Sequence, residues 1–324
     1  MSSLSEIKIP VADELRQFEQ FFRETSRSDV SLLNIVVDYV LRTKGKQIRP
    51  LFVFLSAKMN GEINRATYVA ATTIELLHSA SLVHDDVVDE SYERRGAFSV
   101  SALWKNKIAV LMGDFLLAKG LLISTDENEY ENLRIISQAV KEMIEGEMLQ
   151  FQRSRKLDID EAAYVEIIRK KTASLIGASM AVGANSVTKD PEVVALMKEI
   201  GTLAGLAFQI KDDIFDYQSK GIIGKPTGND IKEKKITLPL IYVLDNASAK
   251  EKRHILNIVQ HKNHQRDKVD ELISLVVDRG GIDFAERRMN DFSNDAKALL
   301  DKFPDNLAQH SLVKLIDYII TRKK

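Results

Sequence analysis

The sequence predicts an all-α protein. Only six prolines and 15 glycines interrupt its 324 residues, so the uninterrupted stretches are long. Within them apolar residues recur at helical spacing. Strand signals, meaning regular alternation bounded by tight turns, are nearly absent.

The elements follow in order. Segment 11–25 comes after an N-terminus that carries acids early and lacks a continuous apolar core, so it reads as neither a signal nor a transit peptide. Next come 30–43 and 51–60, the latter opened by Pro50, whose missing N–H is harmless in a first helical turn. Segment 64–90 holds the apolar run TTIELLHSASLVH, and 100–124 and 128–152 continue the pattern. Segment 160–185 carries RKKTAS, and 191–218 is opened by Pro191. The Gly-, Lys- and Pro-containing stretch 219–235 is the longest loop. Helical spacing resumes over 236–245, 249–259, 267–279, 282–302 and 307–321. No linker, low-complexity tract or repeat divides the chain apart from one short motif that occurs twice, which predicts a single all-α domain over 1–324.

Composition narrows the function. With 44% apolar and 29% charged residues the chain reads as globular rather than membrane-embedded. No stretch approaches the roughly 18 uncharged apolar residues that span a bilayer, which predicts a soluble, cytoplasmic protein without a transmembrane segment. A net charge of −1 gives no reason to expect a nucleic-acid partner, so any anion binding must come from local clusters. The absence of cysteine excludes disulfides and thiolate metal sites.

The repeated motif is acidic. LVHDDVVDE places Asp85, Asp86 and Asp89 in a D-D-x-x-D pattern, and QIKDDIFDY does the same with Asp212, Asp213 and Asp216. On a helix, residues four apart share a face, so Asp85 projects with Asp89 and Asp212 with Asp216. Like charges so placed repel, and a cation should compensate; carboxylates around an opening suit hard Mg²⁺, which bridges to phosphate oxygens. Each motif ends a strongly apolar run, which sets it at the rim of a buried helix rather than on a polar stripe. Two such clusters facing each other across a helical cavity would hold several metal ions, and a diphosphate is their natural guest.

Basic residues accompany the acids. KGKQIRP supplies Lys46 and Arg49 at a helix start, where the dipole also favours anions. ERRG supplies Arg94 and Arg95, RKKTAS supplies Lys170 and Lys171, and GKPTGNDIKEKK supplies Lys225, Lys234 and Lys235. Each alone reads as a solvated surface; together with two metal motifs they describe a pocket for two diphosphates.

In this order and spacing, HDDVVDE, RRG, KTA, FQIKDDIFD and GKPTGNDIKEKKITLPLI resemble the trans-isoprenyl diphosphate synthase family, long-chain polyprenyl branch, over roughly residues 40–245. The resemblance implies antiparallel helices around a deep central cavity (the isoprenoid synthase type of fold), a homodimer and a Mg²⁺-dependent prenyltransferase. It assigns the six aspartates to metal. It assigns Arg94, Lys171, Thr172 and Lys235, with Lys225 and Gln209 nearby, to an allylic diphosphate such as the farnesyl or geranyl compound. Lys46, Arg49, His78 and Arg95 fall to isopentenyl diphosphate. Two departures stand out: Lys44 replaces the first glycine of the family's GGK, and Lys234 the glycine of its EGK.

The implied chemistry is ionisation of the allylic diphosphate, attack by the isopentenyl double bond and loss of a proton. Product length is expected to depend on Ala80 and Ser81, small residues just before Asp85, and on Leu76 and Leu77 one turn below; bulky aromatics there stop growth early in the family. The expected product has about six to ten isoprene units. The rival readings are a short-chain farnesyl or geranylgeranyl synthase, a class I terpene cyclase, a metal phosphohydrolase using His84-Asp85 as an HD pair, and a regulatory subunit of a two-component synthase.

Overall fold

A computed structural model describes residues 3–43, 45–94, 96–217 and 228–322. After α1 (Leu4–Ile7) and a short 3₁₀ turn (Ile9–Val11) come α2 (Ala12–Thr25), α3 (Ser31–Arg42), α4 (Ile48–Asn60) and α5 (Arg65–Val88). Two-residue strands β1 (Glu93–Arg94) and β2 (Ala97–Phe98) form a small hairpin, followed by α6 (Val100–Asp126), α7 (Tyr130–Lys156) and α8 (Glu161–Ile168). A π-helical turn (Arg169–Ala173) leads into α9 (Ser174–Asn185) and α10 (Pro191–Phe215). The chain continues through α11 (Asn229–Lys232), α12 (Leu238–Asp245), α13 (Ala249–His261), α14 (Arg266–Asp278), α15 (Gly281–Leu300) and α16 (Leu307–Thr321). The fold is all-α.

The bundle is organised around α9. Its sequence, SLIGASMAVGAN, has no polar face, and all 12 residues are buried, as expected of a helix that is apolar all round. Glycines let its neighbours approach. A Cβ on Gly183 would lie 2.3 Å from the Val53 carbonyl oxygen of α4, and one on Gly205 of α10 would lie 2.6 Å from Ala173 Cα. Pairings 183 with 53 and 180 with 56 show α4 and α9 running antiparallel. The same holds for α5 and α6, where Gly113 faces His84 and Gly120 faces Leu77.

Two sequence expectations need correction. Segment 160–185 is not one helix: the π turn splits it, with Gly146 of α7 seated so close that a Cβ there would lie 2.6 Å from the Lys171 backbone nitrogen. Stretch 219–235 is not all loop, because Asn229–Lys232 form α11. Two helices, α6 and α10, are long and apolar enough to cross a membrane by length and composition, but Asp114 and Lys119 interrupt the first and Lys198 and Glu199 the second, so neither holds 18 uncharged residues in a row. Both helices pack within the bundle, α6 on α5 and α10 on α9 and α15.

Candidate active site

The first acidic motif closes α5. That helix starts at a capping box in which the Asn64 side chain accepts from the backbone of its first turn, and it ends at Val88 with Asp89 as C-cap. Asp85 and Asp89 are exposed, whereas Asp86 points inward at 3% exposure. Arg94 on β1 donates from Nε to Asp86 Oδ1 at 2.6 Å. Burial, then the charges of Glu147 and Asp89, raises the Asp85 carboxyl above its ordinary value against the opposing pull of Lys171 and Arg94.

The second motif ends α10, whose N-terminus is capped by Asp190. Its three aspartates do different things. Asp212 keeps 40% of its side-chain surface and pairs with Arg322, just beyond α16. Asp213 is buried; its Oδ2 accepts from the Tyr164 hydroxyl at 2.7 Å and its Oδ1 from the Gln209 amide at 2.8 Å. Asp216 also turns inward and accepts from the Asn229 and Asp230 backbone N–H groups at 3.1 and 2.9 Å, capping α11. Asp212 and Asp216, four residues apart, are thus engaged by different partners, Arg322 and the α11 backbone. Among the described residues no three acidic or histidine side chains already converge as a metal cage.

Charge joins the motifs nonetheless. Lys171, on the π turn, reaches Glu147 at 2.5 Å and Gln150 at 2.7 Å, both on α7. Lys235 pairs with Glu233 and feels Asp230 and Glu147, which raise it despite burial. Lys171 acts on Asp85 and Lys235 on Asp213, and the two lysines line one cleft with Asp213. A cavity of about 80 Å³ there is lined by Lys171, Thr172, Gln209, Asp213, Asp230 and Lys235 among others. Burial pushes Asp213 up to about 6, while the Tyr164 and Gln209 hydrogen bonds oppose it. Burial and then Asp213 push Asp230 to about 8.

The other expected residues divide as follows. Arg49 and His78 meet, Nη1 to Nε2 at 2.8 Å, and Lys46 lies 5.6 Å over the Tyr318 ring of α16. The Thr172 hydroxyl donates to Gln209 Oε1 at 2.7 Å. Arg95, Lys225 and Lys44 lie outside the described residues. His84 faces α6, 3.2 Å from the Val110 carbonyl oxygen and 3.5 Å from Asp114, so it forms no HD pair with Asp85.

Beside the first motif, a cavity of about 60 Å³ is lined by Tyr39, His78, Ser79, Leu82, Val83, Asp86 and Arg94 among others. Trp104 packs edge-on against Tyr39, with ring centroids 5.1 Å apart. Ala80, Ser81, Leu76 and Leu77 do not line this cavity, since they occupy other faces of α5. Leu76 and Leu77 are buried, and the Gly120 side of α6 closes on them.

Sequence reasoning missed Glu147, Gln150, Tyr164, Asp230 and Arg322. Gly146 within a helix was a usable signal for the first two, because an interior glycine marks close approach. Tyr164 carried no signal, and Arg322 read as a solvated basic end.

The family described as Polyprenyl synthetase matches residues 30–276. The chain is 34% identical to the all-trans-nonaprenyl-diphosphate synthase (geranyl-diphosphate specific) of Rhodobacter capsulatus, covering 98% of this chain and 97% of that protein. It superposes on the polyprenyl synthase of Caulobacter crescentus complexed with calcium and isoprenyl diphosphate with a TM-score of 0.91, at 30% identity and 99% and 98% coverage. It also superposes on the geranylgeranyl pyrophosphate synthase of Bacteroides thetaiotaomicron with a TM-score of 0.85, at 38% identity and 99% and 100% coverage. The chain therefore belongs to the polyprenyl synthetase family of prenyltransferases.

Proposed function

We propose that this enzyme is a long-chain all-trans-polyprenyl diphosphate synthase that adds isopentenyl diphosphate units head to tail onto an allylic diphosphate. The observation that carries this reading is the cleft lined by Lys171, Lys235 and Asp213, with Glu147 paired to Lys171 and Asp85 of the first motif within reach of both their charges. The residues fit Mg²⁺: the donors are carboxylate oxygens, and burial with like-charge crowding raises Asp85, Asp213 and Asp230, a strain that a hard cation relieves. Asp85, Asp89 and Asp212 offer the accessible oxygens, with Asp86, Asp213 and Asp216 anchored behind them. Bound Mg²⁺ would stabilise charge on the departing diphosphate.

The chain's own residues supply the rest. Lys171, Lys235 and Arg94 neutralise the diphosphate as its bond to the allylic carbon breaks. Lys46, Arg49 and His78, with Arg95, hold isopentenyl diphosphate so that its double bond attacks the cation; a proton then leaves, with the released diphosphate as base. Exclusion of water keeps the cation from being trapped. Exposed apolar side chains on α6 and α7, among them Leu111, Leu122, Ile144, Met148 and Phe151, suit a homodimer contact. The cysteine-free sequence suits work in the cytoplasm.

A shorter, twenty-carbon product is the second reading, favoured by the packing of Leu76 and Leu77 against Gly120. Purified protein with Mg²⁺, farnesyl diphosphate and labelled isopentenyl diphosphate decides between them. Chromatography is expected to show about six to ten isoprene units. A product that stops at four units establishes the second reading, and substrate hydrolysis without chain growth removes both. Asp85→Ala and Asp212→Ala should each lower turnover by roughly 100-fold or more while remaining folded.

A further inference from the structure

Both acidic motifs bury their middle aspartate, but they hold it differently. Asp86 is held by the Arg94 cation at 2.6 Å. Among the described residues Asp213 accepts hydrogen bonds from neutral donors, the Tyr164 hydroxyl at 2.7 Å and the Gln209 amide at 2.8 Å, and Gln209 is itself held by the Thr172 hydroxyl at 2.7 Å. We propose that Tyr164 is the positioning residue of the second acidic motif: its hydroxyl orients Asp213, and through it the last turn of α10, without cancelling the motif's negative charge. The inference rests on the metal-dependent reading above.

Tyr164 lies on α8, 3% exposed, and reaches 49 residues along the chain to make this bond. One donor on each carboxylate oxygen holds the Asp213 carboxylate in one orientation, yet each oxygen keeps a further lone pair. An arginine in the place of Tyr164 would orient the group equally well but would neutralise it, as Arg94 does for Asp86. A phenol orients and leaves the charge available to a divalent cation. Asp212 directly precedes the anchored residue, so the direction of its carboxylate depends on that anchor. If Tyr164 only filled space, phenylalanine would serve as well.

The test uses the full chain and Mn²⁺ as a hard divalent probe, read as free-Mn²⁺ electron paramagnetic resonance without substrate. Tyr164→Phe should weaken Mn²⁺ binding by roughly tenfold, the usual effect of losing a ligand's supporting hydrogen bond. It should lower kcat and leave KM for isopentenyl diphosphate unchanged. Replacing Tyr164 by 3-fluorotyrosine, which keeps ring and hydroxyl, should restore binding to within about twofold. Wild-type affinity in Tyr164→Phe overturns the inference, as does a fluorotyrosine protein as weak as the phenylalanine one. Should the phenylalanine variant fail to fold, a fluorotyrosine and difluorotyrosine series decides: affinity must follow donor strength, and a flat series overturns the inference. Wild-type protein that takes up no Mn²⁺ overturns the metal reading and this inference together.

Discussion

At the scale of single residues, Lys234 shows how a local rule is bent beside a site. It is the residue after the C-cap of α11 and has φ of 59°, the left-handed region. Its N–H bonds to the Ile231 carbonyl at 3.0 Å and that of Lys235 to the Asp230 carbonyl at 2.7 Å, which is a Schellman cap. Glycine is the usual occupant, which explains the family's EGK pattern. Lys234→Gly should raise unfolding free energy by about 1 kcal/mol in urea denaturation, with Lys235 still in place. A second expectation concerns protons. Asp213 and Asp230 are raised from 3.8 to about 6 and about 8, so the metal-free folded chain holds protons that the unfolded chain has released. Stability therefore falls as pH rises between about 4 and 8, and thermal melts of Asp230→Asn should show a shallower fall than wild type. The acids were legible because residue type and spacing alone announce them. Tyr164 was not, since its partner lies 49 residues away and only packing brings them together.

At the scale of elements, the helical pattern placed most boundaries within a few residues, because apolar spacing and first-turn prolines act locally. The π turn, α11 and the β1–β2 hairpin escaped it. All three are short, and all three depend on tertiary partners: Gly146 for the turn, Asp216 for α11, and Asp86 for Arg94 on β1. The C-terminal helix escaped functional notice for the same reason. Arg322, just past α16, pairs with Asp212 and lies 4.2 Å over the Phe208 ring, at only 16% side-chain exposure. Arg322→Ala should destabilise the metal-free protein by about 1–2 kcal/mol in chemical denaturation. Removing the cation takes away one positive competitor at Asp212, so added Mg²⁺ should stabilise this variant more than wild type.

At the scale of the whole molecule, the all-α class was legible from the scarcity of breakers, whereas the way neighbouring helices cover α5 was not. Residues 76, 77, 80 and 81 were placed by counting back from Asp85, and counting cannot tell which faces of α5 the neighbouring helices cover. The exposed apolar face of α6 and α7 also belongs to this scale. Leu122 is 55% exposed and Leu111 is 52% exposed, beyond what a lone chain needs. With the proposed homodimer contact on this face, Leu122→Glu should shift the mass by light scattering from two chains to one; an unchanged mass would show that this face is not the subunit contact.

The edge-on contact between Trp104 and Tyr39 has a practical corollary. The chain carries one tryptophan, and Tyr39 lines the cavity beside Asp86 and Arg94. Excited beyond the absorption of the eight tyrosines, Trp104 emission therefore reports on the surroundings of Tyr39 with no dye attached. Emission should change as a diphosphate is titrated in, and Trp104→Phe should darken the signal while catalysis continues.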